Sequence, residues 1–400
     1  MKLTVLGAGA IGATVARDLA QADDVETVQV CDARARSLTE LQATLSSPKL
    51  RSFQADARDP LLLRSIIAGS ACVVGCVPGA LNPALSELCI ELGVPFTDLG
   101  STDEIVDRQL RLHETARNRG VWIVPNCGLT PGLVNVLCLH GIEAFEQVDA
   151  AQIRVGDIPQ DPTPPFNFSA SWSVEKVLDD YTSPVEVIED GLLTTHAPLS
   201  HVEEIHFDPP YDHLEAFDAS GLSTLARQLQ GQVRCLDHKL IRWPGHAGQM
   251  QFLVALGLAE SIHIDVQTHL TYRDVLLRRM RQHLSADLED VLLMRVLVRG
   301  LQGGRRATRL YEMVIRYDEA TQTTAIRRCT SIPISTLALM LGRGEIPGGG
   351  AAPPELVVDK QRYLDAVRAQ GLPITVETHE GWHDVSEPRE ARQASYETHE

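Results

Sequence analysis

Residues 3–32 read LTVLGAGAIGATVARDLAQADDVETVQVCD. An apolar, strand-like run at 3–8 meets Gly7-Ala8-Gly9-Ala10-Ile11-Gly12, and helical spacing follows over 11–22, with Val15, Ala16, Leu19 and Ala20 on one stripe. A second strand-like run, 25–32, ends on Asp32, twenty residues beyond Gly12. A G-x-G-x-x-G turn between a strand and a helix, with an acid at that distance, is the pattern that holds a dinucleotide. Gly7 permits the tight turn, Gly9 lets the backbone approach a pyrophosphate, and Gly12 brings helix and strand together. Ala10 and Ile11 open the helix, where free N–H groups and the positive dipole end suit phosphates. A carboxylate at Asp32 accepts from the ribose hydroxyls and repels a 2′-phosphate, so NAD is expected; Arg34 and Arg36 just beyond keep NADP possible.

The same alternation continues outward. Strand-like runs at 50–57, 70–77, 94–100 and 121–128 are separated by helical stretches at 60–68, 83–92 and 105–118. Short apolar strands alternating with helices predict a doubly wound parallel sheet, a Rossmann domain over residues 1–128. Ligands of such sheets collect at the carboxyl ends of the strands. Asp56 would lie at an adenine edge or cap the next helix. Val77 and Pro78 would face the nicotinamide end, with Gly100 near them. Asp98 would either orient an amine or histidine or cap the helix after it.

Beyond Thr130 the pattern changes to two-fold alternation, in residues 232–243, 261–270, 291–300, 309–318 and 321–330, with helices at 222–230, 274–284 and 332–341. That predicts a second α+β domain, 129–335, with a mostly antiparallel open sheet. Gly128-Leu129-Thr130-Pro131-Gly132 would join the two. The stretch from 373 to 400 is polar and acidic, and is expected to be a disordered tail.

Composition narrows the function. The 400 residues carry 36 Lys and Arg against 53 Asp and Glu, a net −17, and only 5% aromatics. A chain this acidic repels phosphate backbones and lacks a base-stacking platform, so nucleic acid is not an expected partner. The eight cysteines form no C-x-x-C pair, which fits free thiols in a cytoplasmic protein. The charge-free span between Arg64 and Glu87 is broken by Gly69, Gly75, Pro78, Gly79 and Pro83, so no membrane span is expected.

GAGAIG, residues 73–100 (VVGCVPGALNPALSELCIELGVPFTDLG) and residues 125–136 (PNCGLTPGLVNV) resemble the saccharopine dehydrogenase-like family. SWSVEKVLDDYTSP, EAFDASGLSTLARQL, HKLIRWPGHAGQM, LALMLGRG and APPE narrow the resemblance to its lysine 6-dehydrogenases, over roughly residues 1–365. The resemblance implies a catalytic and dimerisation domain at 129–335, a return of residues 336–372 to the Rossmann domain, and NAD-linked oxidation at an amine-bearing carbon. Lysine would give the 6-semialdehyde, which cyclises to piperideine-6-carboxylate. One departure stands out: family members often carry Asn-Ala before the proline of the fourth-strand loop, where this chain has Gly75-Cys76-Val77-Pro78.

Oxidising a primary amine needs a base, a positioned carbon and recognition of the far end of the substrate. His246, after the Pro244-Gly245 turn, is the candidate base, expected at a strand end and aimed outward. Arg242 is the leading partner for a substrate carboxylate, with Arg227 as runner-up, and a second acidic substrate would draw on Arg227, Arg154 or Arg242. Glu175 or Asp179, on one helix face, could hold an α-ammonium, and Thr130 is a further contact candidate. His140 reads as a core or interface residue. His201, Glu203, Glu204 and His206 read as a solvated charged edge and not a metal site, since His201 and His206 share no helix face. Two other functions remain open: a saccharopine- or carboxynorspermidine-type reductase that joins an aldehyde and an amine, and a non-catalytic NAD-binding regulator. The alternating strands suggest a homodimer or larger assembly.

Overall fold

The computed structural model describes residues 1–170, 173–284 and 289–383. Two compact units emerge, residues 1–140 with 327–372, and residues 141–326 with 373 onward. The chain leaves the first unit inside the helix Leu133–Ile142 and re-enters it inside the helix Ala325–Gly342.

The first unit holds a parallel sheet. Its strands are β1 (Lys2–Leu6), β2 (Thr27–Asp32), β3 (Leu50–Gln54), β4 (Cys72–Gly75), β5 (Phe96–Asp98), β6 (Trp122–Val124) and, far along the chain, β15 (Gly350–Ala351), in the order β15-β6-β5-β4-β1-β2-β3. The order reverses around β1, so β2 and β4 flank it in register, Leu3 lying opposite both Val28 and Cys72. Central strands of a parallel sheet are covered on both faces, which is why β1 and β4 are nearly continuous apolar runs. Leu3, Val5, Cys72, Val73 and Val74 are all fully buried. The helix expected at 105–118 is two, Asp103–Leu110 and His113–Arg119, and Ala35–Thr44 adds a helix the apolar pattern did not flag.

The second unit holds a mixed sheet. Its members are β7 (Gln147–Pro159), β8 (Val185–Glu189), β9 (Leu192–His196), β10 (Glu203–Ile205), β11 (Leu214–Asp218), β12 (Val233–Arg242), β13 (Asp290–Gln302), β14 (Arg305–Arg316) and β16 (Thr375–Glu380). The main path runs β10-β11-β12-β7-β13-β14-β16, antiparallel except between β12 and β7, with the β8–β9 hairpin attached to β12.

Three expectations fail here. Residues 261–270 alternate like a strand but form an irregular segment, in which Val266 and Leu270 are exposed. Residues 325–330 open the helix Ala325–Gly342 instead of continuing an alternating strand; Asp290 accepts from the N–H groups of Ala325 and Ile326 and so holds that helix start. Residues 375–380, placed in the tail, pair with β14 as strand β16. Residues 384–400 lie outside the described part. All eight cysteines are free thiols, and among the described residues no helix is long and apolar enough to cross a membrane.

Candidate functional site

The glycine turn has the shape a dinucleotide requires. Gly7 has φ +102°, and a Cβ there would stand 2.3 Å from the Cys76 carbonyl oxygen; at Gly12 a Cβ would stand 2.0 Å from the Gly7 carbonyl oxygen. A Cβ at Gly9 would meet nothing within 4 Å, so the space above the turn is open where the pyrophosphate would lie. Gly9 precedes the helix Ala10–Gln21 without a side-chain cap, leaving the first-turn N–H groups of Ala10 and Ile11 without intrahelical partners.

Asp32 ends β2 beside this turn. Its Oδ2 accepts from the Ala8 N–H at 2.8 Å, and its Oδ1 accepts from the Arg34 N–H at 2.8 Å. Burial pushes the carboxyl up, but these two N–H groups and the Arg34 guanidinium outweigh it and hold Asp32 below the usual range. It is therefore an anion with lone pairs to spare for ribose hydroxyls. The residues fit NAD.

The other strand ends sort differently. Val77 and Pro78 lie in the loop after β4, and Val77 packs 3.4 Å from where a Gly7 Cβ would be. Asp56 is half-buried and paired with Arg58 at 2.6 Å, which holds its carboxyl down at about 2. Asp98 is wholly buried. It accepts from Gly100 N–H (2.7 Å) and Gln109 Nε2 (2.7 Å), and it does not cap the next helix, whose N-cap is Thr102. Burial pushes Asp98 up to about 6. Gly100, at φ +85°, presses on Asn126, where a Cβ would stand 2.2 Å from Oδ1.

In the second unit, Arg242 and His246 come together around a residue the sequence reading passed over, Tyr181. The Tyr181 hydroxyl lies 2.9 Å from His246 Nε2 and accepts from Arg242 Nε at 3.3 Å. Phe168 stands 4.8 Å from the His246 ring and 4.9 Å from the Arg242 guanidinium carbon, between centroids and to the centroid respectively. His246 is not at an outward-facing strand end. It is the first residue of the helix His246–Ala255 and is only 1% exposed. The cause is local: Glu215 on β11 accepts from both Gly245 N–H (2.8 Å) and Ala247 N–H (2.7 Å), anchoring the helix start. Burial, and then the Arg242 charge, push the imidazole down to about 3, so it is neutral at neutral pH. Nothing in the spacing of Tyr181, just past the helix Val174–Asp180, distinguishes it from a core tyrosine.

Arg242 is 1% exposed. Its Nη1 donates to the carbonyls of Ile241 (2.9 Å) and Asp157 (3.2 Å), while Nη2 is buried and, among the described residues, without a hydrogen-bond partner. Beside His246, an open pocket of about 570 Å³ is lined by Pro165, Phe166, Gly245, Gly248, Gln249, Phe252 and Leu253.

The remaining candidates are engaged elsewhere. Arg227 pairs with Glu186 at the surface, and Glu175 pairs with Arg281. Asp179 pairs with Arg273. Arg154 is fully buried between Asp237 (2.8 Å) and Glu203, which leaves it no role on a substrate carboxylate. Thr130 has a buried hydroxyl without a partner, three residues before the helix Leu133–Ile142. His140 is half-buried in that helix. The supposed charged edge divides: Glu203 goes to Arg154 and Lys239, His206 to Glu204 and Asp212, and His201 to Asp218.

Two family models cover nearly all of this architecture. The saccharopine dehydrogenase NADP-binding domain matches residues 3–124, and the saccharopine dehydrogenase C-terminal domain matches residues 128–372. The chain belongs to the saccharopine dehydrogenase family. This family membership makes the first unit an NAD(P)-binding domain. The mitochondrial alpha-aminoadipic semialdehyde synthase of Mus musculus is 21% identical over 277 residues, covering 64% of this chain and 28% of that protein. The chain thus spans little more than a quarter of that relative. The carboxyaminopropylagmatine dehydrogenase of a Synechocystis strain is 20% identical over 96% of this chain and 97% of its own length. Among solved structures, saccharopine dehydrogenase (L-Glu forming) from Saccharomyces cerevisiae superposes with a TM-score of 0.78 at 16% identity, covering 94% of this chain and 99% of that one. Homospermidine synthase from Legionella pneumophila, in complex with NAD, gives 0.69 at 14% identity over 94% and 91%. At these identities the structural likeness speaks for the fold.

Proposed function

We propose that this saccharopine dehydrogenase family member is an NAD-linked oxidoreductase acting at a carbon–nitrogen bond, and that its substrate is lysine, oxidised at the 6-amino carbon. The observation that carries the reading is Arg242 Nη2, a buried guanidinium N–H without a partner beside a neutral imidazole. Buried donors are almost always satisfied, so an orphan within this cluster calls for an acceptor from outside the chain. A substrate carboxylate supplies it with charge and geometry matched to guanidinium.

Carboxylate binding would also prepare the base. Arg242 is the second cause of the low His246 pKa, after burial. A carboxylate on Arg242 offsets that second cause and lets His246 take up the proton that the ammonium must lose before its carbon is oxidised. Tyr181 Oη, 2.9 Å from His246 Nε2, holds the ring in place, and the proton reaches Nε2 through that hydroxyl, which gives up its own hydrogen as it takes the new one. NAD, when bound at the glycine turn, supplies the hydride acceptor. Asp98 serves as a positioning residue, tying the Gly100 turn to β5. Asp32 selects NAD over its 2′-phosphorylated form.

The test is direct. Purified protein with lysine and NAD should generate NADH absorbance and an o-aminobenzaldehyde adduct of the cyclised product. The full-length match to carboxyaminopropylagmatine dehydrogenase favours a second reading, reductive joining of an aldehyde and an amine. NADH consumption with such a pair, and none of the lysine chemistry, would establish that reading instead. Silence in both assays with tight NAD binding would leave the regulator.

A further inference from the structure

We propose that His196, His201 and Asp218 form a binding site for a divalent transition-metal ion of the zinc class. They come from three elements of the second unit: the end of β9, the connection to β10, and the end of β11. Asp218 is 1% exposed, and its Oδ2 lies 2.6 Å from His196 Nδ1 and 2.6 Å from His201 Nδ1. The two rings stand 4.4 Å apart between centroids. All three donor atoms fall within 4.8 Å of one another.

A second observation points the same way. His196 turns its outer nitrogen, Nε2, to Glu189 Oε1 at 3.0 Å. A carboxylate on the far nitrogen of an imidazole is the usual device for orienting a metal-binding histidine and raising its basicity. Ser200 Oγ donates to the same Asp218 oxygen at 3.3 Å and keeps that carboxylate turned inward.

Two imidazoles and a carboxylate suit zinc, cobalt or nickel better than magnesium or calcium, which prefer all-oxygen shells. Bonds of about 2.0–2.2 Å to each donor place tetrahedral ligand atoms about 3.3 Å apart. The present contacts must therefore open by roughly 0.7 Å as the ion replaces the imidazole protons. His201 can supply the movement, because its side chain is 60% exposed, and that exposure admits water as a fourth ligand. The ion would fasten the β8–β9 hairpin, which meets β12 at Ile188 opposite Leu236 and through Gly191 N–H to the Arg234 carbonyl, to β11.

The full-length protein, stripped with a chelator, is titrated with zinc(II) alone by calorimetry and with cobalt(II) by visible absorption. Wild type should bind one equivalent that is lost in His196→Ala and in His201→Ala, with the four-coordinate cobalt bands lost alongside. Glu189→Gln should weaken binding about ten- to a hundredfold. His213→Ala, in the neighbouring trio Glu204, His206 and His213, should retain the equivalent. Absence of saturable binding overturns the proposal, as does unchanged binding in the His196 and His201 variants, or loss confined to His213→Ala. Because His201 is exposed, His201→Ala tests the site without disturbing the core; circular dichroism checks this.

Discussion

Tyr181 Oη and His246 Nε2 sit 2.9 Å apart with both side chains buried, and Arg242 Nε donates to the same hydroxyl. The guanidinium donates to the phenol oxygen, and the His246 tautomer sets which of phenol and imidazole donates to the other. Among the described residues, Arg242 Nη2 is a buried donor of this cluster with no hydrogen-bond partner. Tyr181→Phe should lower kcat about tenfold or more with the NAD dissociation constant unchanged, since one hydrogen bond to a general base is removed. Steady-state kinetics with a separate NAD titration measure this. An unchanged kcat would remove Tyr181 from the reaction.

Arg242→Lys should raise KM for lysine by roughly tenfold to a hundredfold, because a lysine cannot reproduce the planar fork. The same substitution should matter far less for cadaverine, which lacks the carboxylate. Equal losses with both substrates would mean that Arg242 serves the fold through Asp157.

Asp32→Ser should erode the preference for NAD over NADP by about tenfold or more, as the repulsion of a 2′-phosphate is removed. Fluorescence titration with both reduced cofactors reads it out. Undiminished preference would move ribose selection to another group.

Stability should carry the opposite signatures of Asp98 and His246. The folded pKa of Asp98 is raised from 3.8 to about 6, so its contribution is full below about pH 4 and is lost as pH rises through 6. Asp98→Asn lacks this loss. Its unfolding free energy relative to wild type should therefore improve between pH 4 and pH 7 by an amount on the order of 2 kcal/mol, read as a rising melting-temperature difference. His246 is lowered from 6.5 to about 3, so its contribution is present above 6.5 and is lost as pH falls toward 3. His246→Gln should narrow the acid-side decline of the melting temperature. A pH-independent offset in either variant would contradict the assignment.

The first unit was legible because its signals are local. The glycine turn, Asp32 and the apolar strands each reflect a constraint met within a few residues. The second unit depends on partners far apart in the chain. Arg242 and His246 could be singled out from RWPGH, but not the burial that Glu215 imposes on them, nor Tyr181, sixty-five positions before His246. Residues 261–270 alternate as a strand would, yet among the described residues no neighbouring strand takes up their hydrogen bonds as a ladder, and alternation alone does not make a sheet. The acidic pattern at residues 375–380 hides an edge strand, where exposed charge is ordinary.

The place of β15 sets a timetable. Gly350–Ala351 pairs in parallel with Trp122–Ile123, more than two hundred residues upstream. Only two residues long, it is nevertheless the border of the nucleotide-binding sheet. On the ribosome, β6 stays uncovered on that side until residues 350–351 have emerged, while most of the intervening unit can begin to form. The second unit waits too, for β16 at residues 375–380, so neither sheet is complete until its late strand arrives. Nucleotide supplied during synthesis would meet an unfinished host, and a chain stalled before residue 350 would present an open strand border to its neighbours.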